Sequence, residues 1–360
     1  MTRVRNFCAG PCTLPTEVLA EVQEELLDFQ GSGMSLIEMS HRSPEYDAVH
    51  EDALDRLRRA LEVPEDFEVL FVQGGGLLQF AMLPMNLLPD GTPAGYVRSG
   101  AWGKAAYADA ARVSAAYLAW DGQDAGFTRM PTAAEIEVRD GSRYVHVTSN
   151  ETIEGIQLRE LPDLGVPLVV DMSSDFLTRA VEWDRVDVVY GGVQKNLGPA
   201  GLAVVVVRRS VLDAGPAGLP TYLSLAGHAK AHSLANTPPM FSIYVMGKML
   251  RWIEERGGLH GMTKRAEQRS RRIYDVIDGS DGFYTSPAST TDRSRTNVVF
   301  RMADPDLDTT FLADAGAAVS LEVHEPRSVG GMRASIYNAM PDEGVEELAG
   351  FMRDFAESHR

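Results

Sequence analysis

Cysteine is scarce in this chain: Cys8 and Cys12 are the two present in 360 residues. Two such residues make no disulfide framework, and no Cys/His cluster has metal-ligand spacing, so no metal is expected. No apolar run reaches the roughly 18 residues that would suggest a membrane span. The opening residues Thr2, Arg3, Arg5, Asn6, Cys8 and Gly10-Pro11 lack the apolar stretch of a signal peptide, so a cytoplasmic location is expected. Internal repeats, low-complexity tracts and long heptads are also missing, which leaves coiled-coil and acidic-scaffold readings without support. Positive charge is in short supply. Lysine and arginine number 34 against 51 aspartates and glutamates, a net charge of −17 with histidine neutral. Such a field disfavours nucleic acid and acidic membrane surfaces. It also opposes anionic ligands at long range, so capturing one requires a local basic cluster, which His41, Arg42, Arg327 and Arg333 could supply.

What is present is a chain able to bury a large core, with 44% hydrophobic residues and a length that suggests two domains. From Glu68 to about Arg209, apolar strands alternate with amphipathic stretches, the mark of a mainly parallel sheet with helices on both faces. Phe241 to Arg256 reads as a helix with Ile243, Met246, Leu250 and Ile253 on one face, ended by Gly257-Gly258. A helix from Met262 to Ile277, a strand at Thr296–Phe300 and a last helix from near Pro341-Asp342-Glu343 follow.

Three segments carry chemistry. In Gly191-Gly192-Val193-Gln194-Lys195-Asn196-Leu197-Gly198 a lone lysine lies between the apolar runs Val186–Tyr190 and Leu202–Val207. Alone, it reads as a solvated lysine on a Gly-rich turn, since loops are mostly surface. A lysine in a partly dry pocket can instead lose its proton and attack a carbonyl, as Schiff-base lysines do. The second segment, Pro167–Ser174, is an apolar run ending in Asp171 and hydroxyl residues. It suggests a buried strand delivering a carboxylate at its C-terminal edge, where open α/β sheets bind ligands. Pyridoxal phosphate chemistry needs such an acid beside the ring nitrogen. A turn or N-cap aspartate is the other reading. The third, Val69 to Phe80, is strand, Gly74-Gly75-Gly76 and a helical start, a place where backbone N–H groups and the helix dipole can meet a phosphate. It lacks the spacing of a P-loop or a dinucleotide fingerprint.

Taken with Gly10-Pro11, Met39-Ser40-His41-Arg42, Gln73-Gly74-Gly75-Gly76, Asn150-Glu151-Thr152-Ile153, Gln194 to Gly201, Asn236-Thr237-Pro238-Pro239 and Gly330 to Ala339, the chain resembles the phosphoserine aminotransferases from end to end. The resemblance implies an α/β, fold-type I pyridoxal phosphate-dependent transferase of the class V subgroup. It has a large cofactor domain (16–258), a smaller α+β C-terminal domain (259–360) and an N-terminal segment (1–15) near the site. It implies that Lys195 holds the cofactor and that Asp171 partners the pyridinium. Trp102 would stack on the ring, Thr152 would touch it, and Gln194 would sit near the phosphate. Gly76 and Leu77 would offer the phosphate backbone donors. Asn236 and Thr237 would reach the cofactor of a neighbouring subunit, making a homodimer with shared active sites. Arg333 would grip the substrate α-carboxylate, His41 and Arg42 the distal anion. The implied substrates are L-glutamate and a phosphorylated 2-oxo acid, 3-phosphohydroxypyruvate in serine biosynthesis. A four-carbon phosphorylated oxo acid of pyridoxine biosynthesis is implied as well.

The chain departs from the family pattern where His-Arg usually precedes Val329-Gly330-Gly331. Here Pro326-Arg327 stands after His324 and Glu325, and Ala9 replaces a common serine near the substrate. Proline brings no donor, and Glu325 would repel a phosphate it faced. These changes motivate an alternative: a related aminotransferase acting on another small acidic oxo acid. A pyridoxal phosphate lyase or desulfurase would want a nucleophilic cysteine on a mobile loop near the cofactor. Cys8, beside the expected site, is the nearest candidate.

Overall fold

The apolar runs fold into strands because each can bury both faces. The computed structural model describes residues 3–88, 91–315, 319–320, 322–323 and 331–360. The chain opens with β1 (Arg5–Asn6), α1 (Thr16–Glu25) and α2 (Pro44–Ala60). The α/β part comprises β2 (Phe67–Gln73), α3 (Gly75–Leu87), β3 (Pro93–Arg98), α4 (Ala101–Val113), β4 (Ala115–Asp121), β5 (Val145–Thr148), the short pair β6 (Asn150–Glu151) and β7 (Ile156–Gln157), β8 (Leu168–Asp171), β9 (Val186–Gly192) and β10 (Leu202–Arg208). Then come α5 (Arg209–Asp213), α6 (Leu225–Lys230), α7 (Met240–Glu254), α8 (Gly258–Asp278), β11 (Tyr284–Thr285), β12 (Asn297–Met302), α9 (Leu307–Ala315), β13 (Val319–Ser320), β14 (Glu322–Val323), β15 (Met332–Ser335) and α10 (Asp342–Ser358).

Seven strands form the central sheet in the order β2-β10-β9-β8-β5-β3-β4. Pairs from β9 through β4 are parallel. β10 runs antiparallel to both its neighbours, β2 and β9. Alternate residues feed two apolar layers. Val170, Val189, Val204 and Val206 pack with α1, α2 and α7 on one face. Val169, Val188, Val205 and Val207 pack with α3, α4, α5 and α6 on the other. The chain adds β4 on one side of β3 and then returns to place β5 on the other. Connections therefore part at the carboxyl ends of β3 and β5, the position where open sheets of this type leave a crevice.

Local chemistry starts and stops the helices. Ser43 caps α2 by accepting from the Tyr46 N–H, Pro44 fills the first position, and Arg58 and Arg59 end it. Gly257, at φ 91°, turns the chain straight from α7 into α8. α8 therefore begins four residues before the Met262 start expected from periodicity, and the double glycine opens a helix as well as closing one. A separate apolar cluster joins Ile273, Ile277, Phe300, Phe311, Leu348 and Met352 with Phe7 from the N-terminal segment. Its sheet is antiparallel, ordered β11-β12-β15-β14. Among the described residues no helix is long and apolar enough to cross a membrane.

Candidate active site

The carboxyl ends of β2, β8 and β9 converge on a cavity of about 410 Å³. After β2, Gly74 (φ 90°) and Gly75 (φ 60°) take left-handed conformations that deliver the chain into α3. The first N–H groups of α3 have no acceptor within the helix, so this end favours an anion. Three chain segments crowd here. A Cβ on Gly76 would fall 3.0 Å from Ser173 Oγ and 3.6 Å from the Gly192 nitrogen. Leu77, at 60% exposure, forms the rim.

Asp171 ends β8, in register with Thr148 of β5 and Tyr190 of β9. Its Oδ1 accepts from the Ser173 N–H at 2.8 Å and from Ser173 Oγ at 2.6 Å. Burial pushes this carboxyl upward, against the pull of the Ser173 bonds and the Lys195 charge. Lys195 lies in the turn after β9, buried to 8% exposure. Its Nζ donates to Thr152 Oγ1 at 2.7 Å and stands 5.2 Å from the centre of the Trp102 ring. Burial, which strips water from the ammonium, lowers the Lys195 pKa to about 8; Asp171 and Glu151 resist the fall, and Arg333 adds to it. A substantial neutral fraction, the nucleophilic form, therefore exists near pH 8.

Arg333 reaches the cavity from β15, with Nη1 3.4 Å from the Thr152 carbonyl oxygen. Burial lowers its pKa, yet a guanidinium stays charged at neutral pH. The N-terminal segment closes the floor. Ala9 and Gly10 line the cavity, the Ala9 carbonyl accepts from Tyr337 Oη at 2.9 Å, and the Cys12 N–H donates to the Gln194 carbonyl at 3.0 Å.

The fold thus gathers Ala9, Gly76, Leu77, Trp102, Thr152, Asp171, Gln194, Lys195 and Arg333 around one space. His41 and Thr237 are not among its lining residues. They meet each other, His41 Nδ1 at 3.4 Å from Thr237 Oγ1, while Gln73 Nε2 donates to the Thr237 carbonyl at 3.0 Å. Arg42 and Asn236 flank that pair in the chain and do not line the cavity either. Arg327, with His324, Glu325 and Pro326, lies outside the described residues. Reading the sequence missed Thr148, Ser173 as a bonding partner, and the buried carboxyls Glu151 and Glu154. Thr148 was findable, since strand ends adjacent in a parallel sheet share a crevice.

Trp102 Nε1, Thr148 Oγ1 and Gln194 Oε1, all on lining residues, are buried without a hydrogen-bond partner. Buried polar groups are normally satisfied, so these suit a polar ligand. The dipolar helix end, the acid and the partly neutral lysine around them match the phosphate, ring nitrogen and carbonyl of pyridoxal phosphate.

Comparison with known proteins agrees. Residues 4–348 match the family described as Aminotransferase class-V, so the fold is that of a pyridoxal phosphate-dependent aminotransferase. Within that class, the chain belongs to the phosphoserine aminotransferase family. It is 46% identical over 359 residues to the phosphoserine aminotransferase of Lysinibacillus sphaericus, with 99% of each chain covered. The structure of the Bacillus circulans subsp. alkalophilus phosphoserine aminotransferase superposes with a TM-score of 0.96 at 45% identity, covering 99% of both chains. The pyridoxal phosphate-bound phosphoserine aminotransferase of Trichomonas vaginalis gives a TM-score of 0.92 at 34% identity, covering 98% of this chain and 100% of that one.

Proposed function

We propose that this enzyme transfers the amino group of L-glutamate to 3-phosphohydroxypyruvate, yielding 2-oxoglutarate and O-phospho-L-serine for serine biosynthesis. The observation that carries the reading is the meeting of Lys195 and Asp171, from the ends of neighbouring strands, in a buried cavity edged by the α3 N-terminus. When bound, pyridoxal phosphate supplies a carbonyl for amine exchange and an electron-withdrawing ring that stabilises negative charge at the substrate α-carbon. Lys195 would hold the cofactor, and its Nζ, released in the neutral form, would take the proton from the donor's α-carbon as general base and pass it on as general acid, so that the donor leaves as an oxo acid. Asp171 is the anionic partner of the ring nitrogen. The N–H groups of Gly76 and Leu77 would receive the phosphate, and Trp102, Thr152 and Gln194 would complete the pocket. Arg333 orients the substrate α-carboxylate through its planar donor pair.

His41, Arg42, Asn236 and Thr237 sit outside the cavity of their own chain, and we assign them to the cavity of a second copy. Exposed Leu27, Met34 and Ile37 on the same N-terminal stretch support such an interface. We place the division between the two domains near Gly258 and the enzyme in the cytoplasm.

The test is spectroscopic. Protein saturated with pyridoxal phosphate is followed in the visible region while L-phosphoserine, L-glutamate, L-serine and L-aspartate are added separately. Fast conversion with both phosphoserine and glutamate is expected. Conversion with glutamate alone would replace this reading with a related aminotransferase for another acidic oxo acid, for which Ala9 in the cavity wall is the motive. Sulfide released from cysteine would favour a lyase.

A further inference from the structure

Two carboxyl groups beside the cavity have no part in the scheme above. Glu151 ends β6, and Glu154 lies in the turn before β7; they are 0% and 4% exposed. Both accept from the first turn of α4. Glu151 takes the Trp102 N–H at 3.0 Å, the Gly103 N–H at 2.9 Å and Ser99 Oγ at 2.9 Å. Glu154 Oε1 takes the Ala101 N–H at 2.9 Å, and its Oε2 is buried without a partner. These N–H groups are the orphan donors of a helix start, which a side chain one residue upstream normally satisfies. The residue at that place is Gly100, which has no side chain to offer. Nor could it carry one: a Cβ there would fall 2.4 Å from Glu154 Oε2 and 2.7 Å from Glu151 Cδ.

The cap of α4 therefore comes from residues about fifty positions away, and it joins two walls of the cavity. α4 carries Trp102, whose ring faces Lys195 Nζ. The turn that holds the two carboxyls carries Thr152, which binds that same Nζ and whose carbonyl lies beside Arg333.

We propose that Glu151 and Glu154 are positioning residues for amino transfer: by capping the start of α4 from the β6–β7 turn, they lock the Trp102 wall of the cavity to the Thr152 wall. The proposal rests on the assigned site only through Lys195 and Trp102. Two carboxyls this close and this dry do not both ionise near neutrality. Burial is the main cause that raises them, Glu151 to about 7 and Glu154 to about 8, and the Glu151 charge adds to the rise at Glu154. Glu151, with three donors, is the ionised member. Glu154, with one donor and an unpartnered oxygen, keeps the proton. The charged and titratable groups facing the pair are Asp171 on β8, Tyr190 on β9, Lys195 after β9 and Arg333 on β15.

The sign of the pH effect follows. Between the usual glutamate range near 4.5 and about 8, the folded protein holds more protons than the unfolded chain, so stability falls as pH rises through that window. Above about 8 the second carboxyl ionises against the first and loosens the seat of α4.

Glu154→Gln mimics the protonated form, and Glu151→Gln removes the charge that the three donors meet. Three readouts are taken for each: melting temperature of the cofactor-free protein from pH 6 to 9, pyridoxal phosphate Kd by titration, and the pH profile of turnover with whichever amino acid the protein converts. Glu154→Gln is expected to fold and to lose much of the wild-type decline in melting temperature between pH 7 and 9. Glu151→Gln is expected to weaken cofactor binding at least tenfold, with Glu151→Asp recovering less than half of it on a logarithmic scale because its shorter arm misses the helix. If both glutamine variants kept the wild-type pH dependence of melting and the wild-type Kd, the pair would be mere filling and the proposal overturned. The melting and Kd readouts hold whatever the substrate is, so their failure is distinct from failure of the phosphoserine reading.

Discussion

Lys195 is held where its charge is costly. Its stem is buried, its ammonium has Thr152 Oγ1 as acceptor, and burial brings its pKa from 10.5 down to about 8. A lysine whose folded pKa lies below its unfolded one costs stability while both states are charged, and the cost is relieved as pH climbs from about 8 to 10.5. Cofactor-free Lys195→Met protein should therefore be more stable than wild type at pH 7, by on the order of 2–3 kcal/mol. The gap should close between pH 8 and 10.5. Urea unfolding at a series of pH values measures it; a constant gap would mean that the ammonium is well solvated. Asp171 shows the complementary strategy, with Ser173 supplying two donors that keep a buried carboxyl usable as an anion.

At the scale of elements, α8 ties α10 and the Asn338 turn together through one buried arginine. Arg269 on α8 is buried to 2% exposure. It binds Asp342 at the start of α10 through Nε at 2.6 Å and the Asn338 carbonyl through Nη1 at 3.1 Å. The backbone N–H of Asn338 in turn donates to Asn196 Oδ1 at 3.1 Å, next to Lys195. Arg269→Met keeps the apolar stem and removes the donors, so it should cost roughly 2–3 kcal/mol, since charged hydrogen bonds are lost and a buried carbonyl is left unmet. A shift of the urea midpoint without a change of slope would report this. An unchanged midpoint would mean that the Asp342 contact is a weak surface pair.

At the scale of the whole molecule, the N-terminal segment ties the parts together. Phe7 is fully buried in the C-terminal cluster, its carbonyl accepts from the Ser335 N–H at 3.0 Å, and two residues later Ala9 enters the cavity wall. Phe7→Ala empties an aromatic site and should destabilise the protein by about 3–5 kcal/mol. Because Ala9 and Gly10 follow, cofactor affinity should fall along with it. Thermal melting and a cofactor titration on the same sample check both, and a loss of stability with intact affinity would separate the segment from the site.

Much of this architecture was legible as sequence. Valine-rich runs between glycine turns reveal buried strands, and a charged residue just past such a run marks a strand end, which is how Lys195 and Asp171 came to stand at neighbouring edges. Gly74 and Gly75 announced a turn into a helix because few other residues accept their left-handed dihedrals. Helix α8 was misplaced at its start, since Gly257 acts through its left-handed φ and leaves no hydrophobic period. Tertiary structure alone decided which side chains share the cavity. Thr152 meets Lys195 from 43 positions away, and His41 lies against Thr237 across 196. It also decided that Glu151 and Glu154 are buried, against the ordinary habit of glutamate. Local rules report on the backbone and on apolar faces, which repeat along the chain. A hydrogen bond between distant residues repeats nowhere, so it becomes visible only once the sheet has set the order of its strands.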